Sequence, residues 1–267
     1  DYLVFLKGKA DRPLSEAEIL SWYKFSEVKQ NWFGYSQVGN SGSGLGVKFG
    51  HSFSNSIHIV FDDLGKERIT QSSHIEKACL FEVGIGKDSI SDFTTNLIKE
   101  YLLEYTQEFA KTHIDPKYLK KMMIPKVKFD YTFERWVSKE YSLPYSQYHK
   151  DFVLLTPKDL LTKDNTWING NDLRTNFDTI CAGLPNHQLR SEIYNYYKSK
   201  LPQHPKKKVT LKETSEAIQK TIRAYPDIIK YFVKSKEENK VGAKNISEQK
   251  VEEVFNLFVY QVSRLVD

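Results

Sequence analysis

Three carboxylates, Glu82, Asp88 and Asp92, frame the stretch Lys77-Ala-Cys-Leu-Phe-Glu-Val-Gly-Ile-Gly-Lys-Asp-Ser-Ile-Ser-Asp92. An apolar run ends in two glycines spaced one apart, two aspartates follow, and helical periodicity then begins, which reads as strand, tight loop and helix start. Carboxylates brought together at such a junction can hold a hard divalent cation, and Mg²⁺ bound there would serve a metal-dependent phosphodiesterase or nuclease. A plainer reading of the same residues stands beside it. Asp92 is an ordinary cap for the long helix that follows, Asp88-Ser89 is an ordinary turn, and Gly84 with Gly86 permits the bend.

A second set of chemistry-bearing residues is basic. From Lys198 to Lys250 there are 14 Lys and Arg against 6 Asp and Glu, a surplus of +8, which leaves −3 for the rest of a chain of net charge +5. Lys206, Lys207 and Lys208 lie in a proline-flanked linker, and Lys198, Lys200, Lys220 and Arg223 fall on the adjoining helices. Gathered on one face, they would make a sequence-independent footprint for DNA or RNA, with Tyr194, Tyr196 and Tyr197 as stacking faces. Spread out, they are the solvated faces of surface helices.

Other catalytic signatures are incomplete. Histidines 51, 58, 74, 113, 149, 187 and 204 are scattered without the spacing that puts two imidazoles on one helix face, and two separated cysteines do not make a structural zinc site. Gly39-Asn-Ser-Gly-Ser-Gly-Leu-Gly46 lacks the Gly-Lys-Ser/Thr of a phosphate loop, and Val47-Lys48-Phe49 after it reads as a strand. No Gly-x-Ser-x-Gly precedes a helix. Glu27-Val-Lys29 has the letters of a restriction-type Glu-x-Lys but falls in a helical pattern with no partner strand.

The elements that would position these residues alternate irregularly. A capping box, Ser15 with Glu18, opens a helix to about Lys29. Ser56 to Phe61, Lys77 to Val83, Val127 to Phe133 and Asp151 to Thr156 read as strands, the last a central one closed by Pro157. The helix from about Asp92 would pack on the sheet through Phe93, Leu97, Tyr101, Tyr105 and Phe109. Beyond Pro157, Asn171-Asp172, Asn186, Thr210 with Glu213, and Pro226 mark helix starts, and Ser247 to Val266 is one more helix. The expected fold is α+β, a mixed or antiparallel sheet with packed helices, followed by an all-helical carboxyl-terminal region. The expected division is an α+β domain over 1–160 and a helical region over 161–267, with a basic linker near 202–208.

The phrases Glu82-Val-Gly-Ile-Gly-Lys-Asp-Ser-Ile-Ser-Asp92, Leu155-Thr-Pro-Lys-Asp-Leu-Leu161 and Tyr225-Pro-Asp-Ile-Ile-Lys-Tyr-Phe-Val-Lys-Ser-Lys-Glu-Glu238 resemble a family of largely uncharacterised bacterial proteins. The resemblance implies a downstream restriction-endonuclease-like domain in longer members, and it assigns no catalytic residue. The chain starts at Asp1 directly in an apolar run and stops at Val266-Asp267 after a helical pattern, so a piece of a longer protein is expected. Cys79 and Cys181 sit in apolar surroundings, as thiols in a reducing cytoplasm do, and no apolar run is long enough for a membrane span. The expected role is a non-catalytic binding or regulatory region of a nuclease-type or phage-defence-type protein. It would contact DNA, RNA, a partner subunit or a missing carboxyl-terminal domain, and the metal-dependent enzyme centred on Glu82, Asp88 and Asp92 is the alternative.

Overall fold

The computed structural model describes residues 1–31, 44–60, 74–81, 85–160, 168–203, 208–238 and 252. Its first helix, α1 (Tyr2–Lys9), is followed by α2 (Glu16–Trp22). The expected capping box is in place: the Glu18 amide donates to Ser15 Oγ at 3.3 Å and the Ser15 amide donates to Glu18 Oε2 at 2.8 Å. The helix stops at Trp22, short of Lys29, because Phe25 leaves it to pair with Leu45 in an antiparallel bridge. Next come α3 (Val47–Val60), a 3₁₀ turn at Ile75–Lys77, α4 (Ala78–Phe81), α5 (Lys87–Leu97) and α6 (Lys99–His113).

Three segments expected as strands are therefore helical where they are described. Val47-Lys48-Phe49 opens α3, and Ser56 to Val60 closes it. The alternation of Ile57 and Ile59 mimics a strand, but Phe49, Phe53 and Ile57 recur every four residues and are all buried, which is the period that wins. Lys77 to Phe81 likewise runs through the 3₁₀ turn into α4, and Val83 lies outside the described residues. Ala78, Cys79 and Leu80 are each buried, and an apolar run buried all round does not distinguish strand from helix by periodicity.

The sheet comes later in the chain. Strands β1 (Leu119–Asp130) and β2 (Arg135–Ser146) form an antiparallel hairpin, and β3 (Asp151–Phe152) adds to β2, in the order β1-β2-β3. Val127 and Phe129 are buried and alternate with exposed Lys128, as expected. Tyr131 and Phe133 instead lie in the turn and are exposed, because Asp130 Oδ1 accepts from the amides of Thr132 (2.9 Å) and Phe133 (3.1 Å) and closes the loop. The apolar run from Asp151 is a two-residue edge strand rather than a central one, and it leaves the ladder after Phe152.

Helices α7 (Gly170–Ala182), α8 (His187–Lys200), α9 (Leu211–Ala224) and α10 (Asp227–Glu238) make every described element beyond residue 168 helical. Their caps follow the local sequence. Asn169, two residues before the expected Asn171, accepts from the Asp172 amide at 2.9 Å, Asn186 caps α8, and Thr210 with Glu213 forms a second capping box. Ser247 to Val266 falls almost wholly outside the described residues. This is an α+β chain, with a three-stranded antiparallel sheet, packed helices and a helical carboxyl-terminal part.

One core cluster joins α1 through α5, β1 and all four later helices, so it draws on both sides of residue 160. A second, smaller cluster lies under the sheet, where Leu102 and Leu103 of α6 meet Ile124, Val127, Tyr141 and Leu143. The stripe expected to pack there is only partly buried. Phe93 is fully buried, but Tyr101, Tyr105 and Phe109 are exposed, and α6 instead buries Leu102, Leu103, Thr106 and Ala110. Positions spaced by four drift about 40° per step around a helix of 3.6 residues per turn, and the break at Ile98 separates the two segments.

Candidate functional site

Of the carboxylates singled out by sequence, Glu82 lies outside the described residues. Asp88 is exposed in the first turn of α5, and Asp92 follows one turn later on the same face, half-buried and inside the helix rather than capping it. Gly86 is the residue before α5, with φ −100° and ψ −179°, and open space where a side chain would be. The bend expected to draw on glycine's freedom at Gly86 therefore uses extended backbone that any residue adopts; Gly84 lies outside the described residues.

A third carboxylate reaches this face from Glu27, which the sequence offered only as part of an incomplete Glu-x-Lys and not as a neighbour of Asp92. Burial first, then the charges of Asp88 and Glu27, push the Asp92 carboxyl up to about 6. Glu27 follows α2, and its Oε2 is buried with no hydrogen-bond partner among the described residues. The adjoining Ser26 is tied to α5 by Asn96, whose Nδ2 donates to the Ser26 carbonyl at 3.2 Å. Among the described residues, however, no three His, Cys, Asp or Glu side chains converge as metal ligands. The described part of this face does not by itself fit Mg²⁺, which demands a near-octahedral set of oxygens.

The sign of the Asp92 effect is testable. A carboxyl raised from its ordinary 3.8 to about 6 binds more protons folded than unfolded between those values, so stability falls as pH rises through that window. Asp92→Asn should flatten urea midpoints between pH 4 and pH 6. At pH 7 it should stabilise by about 1 kcal/mol, a figure discounted for the solvent screening of a half-exposed group. Unchanged pH dependence in the variant would assign the repulsion elsewhere.

The basic residues divide into two places. Lys198 and Lys200 occupy the last turn of α8, and Lys208 is exposed just ahead of the α9 cap; Lys206 and Lys207 lie outside the described residues. Lys198 Nζ lies 5.0 Å from the centre of the Tyr194 ring and 5.8 Å from that of Tyr197, and Lys200 Nζ lies 4.5 Å from that of Tyr196. Tyr197 is buried against Phe177, Tyr196 meets the Tyr225 ring edge-on, and Tyr194 is 45% exposed. Lys220 and Arg223 are also exposed, but they lie about 14 and 18 Å along α9 from its first residue, at 1.5 Å per residue.

The model of a family described as a domain of unknown function, DUF8370, matches residues 2–169. The chain belongs to that family. No curated protein and no solved structure matches it. The DUF8370 segment takes in the carboxylate face and the whole sheet, whereas α8, α9 and their lysines follow it. Both cysteines are free and buried, Cys79 inside the DUF8370 segment and Cys181 beyond it, and burial pushes both thiols up to about 12. Neither has the lowered pKa of a nucleophile. Among the described residues no helix is long and apolar enough to cross a membrane.

Proposed function

We propose that this chain is a non-catalytic binding region of a bacterial nuclease-type or phage-defence-type protein, working in the cytoplasm, and that the carboxyl-terminal end of α8 contacts nucleic acid. The observation that carries the reading is the grouping of Lys198 and Lys200 over tyrosine rings beside the lysine linker, with Tyr194 left open to solvent. Lysines supply the sequence-independent attraction to phosphates, and an open tyrosine gives a base a face to stack on. The nuclease-type context rests on the three phrases that resemble the bacterial family. The last turn of a helix also favours cations for its own dipole, so the placement has a purely structural competitor.

Fluorescence anisotropy with labelled single- and double-stranded DNA and RNA separates the two. Replacing Lys206, Lys207 and Lys208 by glutamine should weaken binding about tenfold at low salt and flatten the slope of log affinity against log salt by about 2 to 3, without moving the melting temperature. Lys220→Gln with Arg223→Gln should do less, given their distance along α9. Salt-insensitive binding, or none at low ionic strength, would leave these lysines as solvated surface or direct them to a partner subunit.

The alternative, a metal-dependent phosphodiesterase centred on Glu82, Asp88 and Asp92, draws its support from the mutual repulsion of carboxylates at Asp92. It requires Mg²⁺ or Mn²⁺ to bind there and turnover to vanish in Asp88→Asn. The binding reading requires neither.

A further inference from the structure

The β1 ladder slips between Ile124 and Lys128, and within the slip Lys126 takes a left-handed backbone with φ 50°. The bulge sends the Lys126 side chain back towards the end of α2. Its Nζ donates to the Lys24 carbonyl at 2.8 Å and lies 5.6 Å from the centre of the Phe25 ring. Lys99, the first residue of α6, reaches the same bulge, its Nζ donating to the Pro125 carbonyl at 2.9 Å. Two ammonium groups are thus fixed at one turn of backbone by carbonyl oxygens that bear no formal charge.

Among the described residues neither ammonium has a carboxylate partner, although lysines elsewhere in the fold do. Lys139 meets Glu100 at 3.2 Å and Glu104 at 2.9 Å, Lys9 meets Glu134 at 2.6 Å, and Lys236 pairs with Asp172. The acid nearest in sequence, Glu100, is directed to Lys128 and Lys139. Lys126 adds its charge to the burial that pulls Lys99 down to about 8, and Lys24 acts likewise on Lys126 after burial, lowering it too. An unpaired, half-buried cation beside another is costly, and the usual remedy is an anion. Each ammonium carries three N–H donors and spends one on a carbonyl, so donors remain, while exposed Lys24 and Pro125 leave the approach open to solvent.

We propose that Lys99 and Lys126, with Lys24 at the rim, form a binding site for a phosphate-type oxyanion, either free phosphate or the phosphate of a monoester. A tetrahedral dianion matches the two neighbouring ammonium groups in charge, and its oxygens can accept the N–H donors that the carbonyls leave over. The site lies inside the DUF8370 segment and is separate from the lysines of α8. It does not depend on nucleic-acid binding there.

The test uses the whole chain in chloride at fixed ionic strength, with inorganic phosphate or phenyl phosphate titrated in. At a hundredfold excess over Kd the melting temperature should rise by about 5 °C or more, and it should go on rising with the logarithm of the anion concentration. The rise should disappear in Lys99→Gln and in Lys126→Gln. Should either variant fold poorly, NMR titration of Lys99 in the unaltered chain gives a second readout, because saturating phosphate should raise its pKa by at least about one unit. A response to both anions supports a monoester-sized site, and a response to inorganic phosphate alone supports a site for the free ion. No rise in melting temperature with either anion, a rise that persists in both folded variants, or an unmoved Lys99 pKa overturns the proposal.

Discussion

Phe93→Ala should destabilise the chain by about 3 to 5 kcal/mol, read as a shift in urea midpoint at constant slope. Phe93 is wholly buried, and its ring centre lies 5.8 Å from that of Phe25, 5.4 Å from Phe49 and 5.0 Å from Phe53. Truncation removes the ring's transfer free energy and leaves a cavity lined by three rings that are themselves held by α3 and by the Phe25–Leu45 bridge, so little can collapse into it. Tyr101→Ala, on the same four-residue series but 50% exposed, should cost less than about 1 kcal/mol. Equal losses at both positions would mean that the stripe from Phe93 to Phe109 is one buried face after all, contrary to the turn of α6 away from it.

That contrast shows where the sequence was readable. Capping chemistry is local, so Ser15 with Glu18, Asn186, and Thr210 with Glu213 could be placed from a few residues each. The apolar positions Leu173, Phe177, Ile180 and Cys181 follow one helical face without interruption, and all four are buried. Strands were harder to find. β2 escaped notice because it buries only Tyr141 and Leu143 and carries Pro144, so its pattern barely alternates. The turn of α3 towards the core was written in Phe49, Phe53 and Ile57, but a shorter β-branched alternation overlaid it.

The candidate sites were legible in a different degree. Asp88 and Asp92 could be grouped from sequence as a turn residue and a helix cap at one junction, whereas the structure sets both inside α5, one helical turn apart. Glu27 could not be grouped with them, since it reaches them only through the packing of the segment after α2 on α5. Lys99 and Lys126 meet through a register slip in β1, and no residue near either marks where a strand will slip. Long-range electrostatics of this kind depends on tertiary geometry rather than on spacing, and half-buried charge without a partner is visible only once the fold is known.

Gly44→Ala should cost about 2 to 5 kcal/mol, and it tests the joint on which Glu27 and Phe25 both hang. Gly44 has φ +65°, and a Cβ there would lie 2.5 Å from the Phe25 carbonyl oxygen and 2.7 Å from the Glu27 nitrogen. Left-handed backbone costs an alanine roughly 1 to 2 kcal/mol, and overpacking adds a further 1 to 3 kcal/mol, because the obstructing atoms are backbone and cannot rotate aside. The neighbouring bridge cannot give way cheaply: the Phe25 amide donates to the Leu45 carbonyl at 3.1 Å and the Leu45 amide returns the bond at 2.9 Å. Gly46→Ala is the matched control, since a Cβ at Gly46 meets nothing within 4 Å. It should stay within about 0.5 kcal/mol of the parent chain. If the two glycines responded alike in urea unfolding, the close approach of Gly44 to the Phe25–Glu27 backbone would not be holding this part of the core together. If only Gly44→Ala loses stability, the raised Asp92 pKa should fall with it, because displacing the segment that bears Glu27 removes one of the charges Asp92 feels.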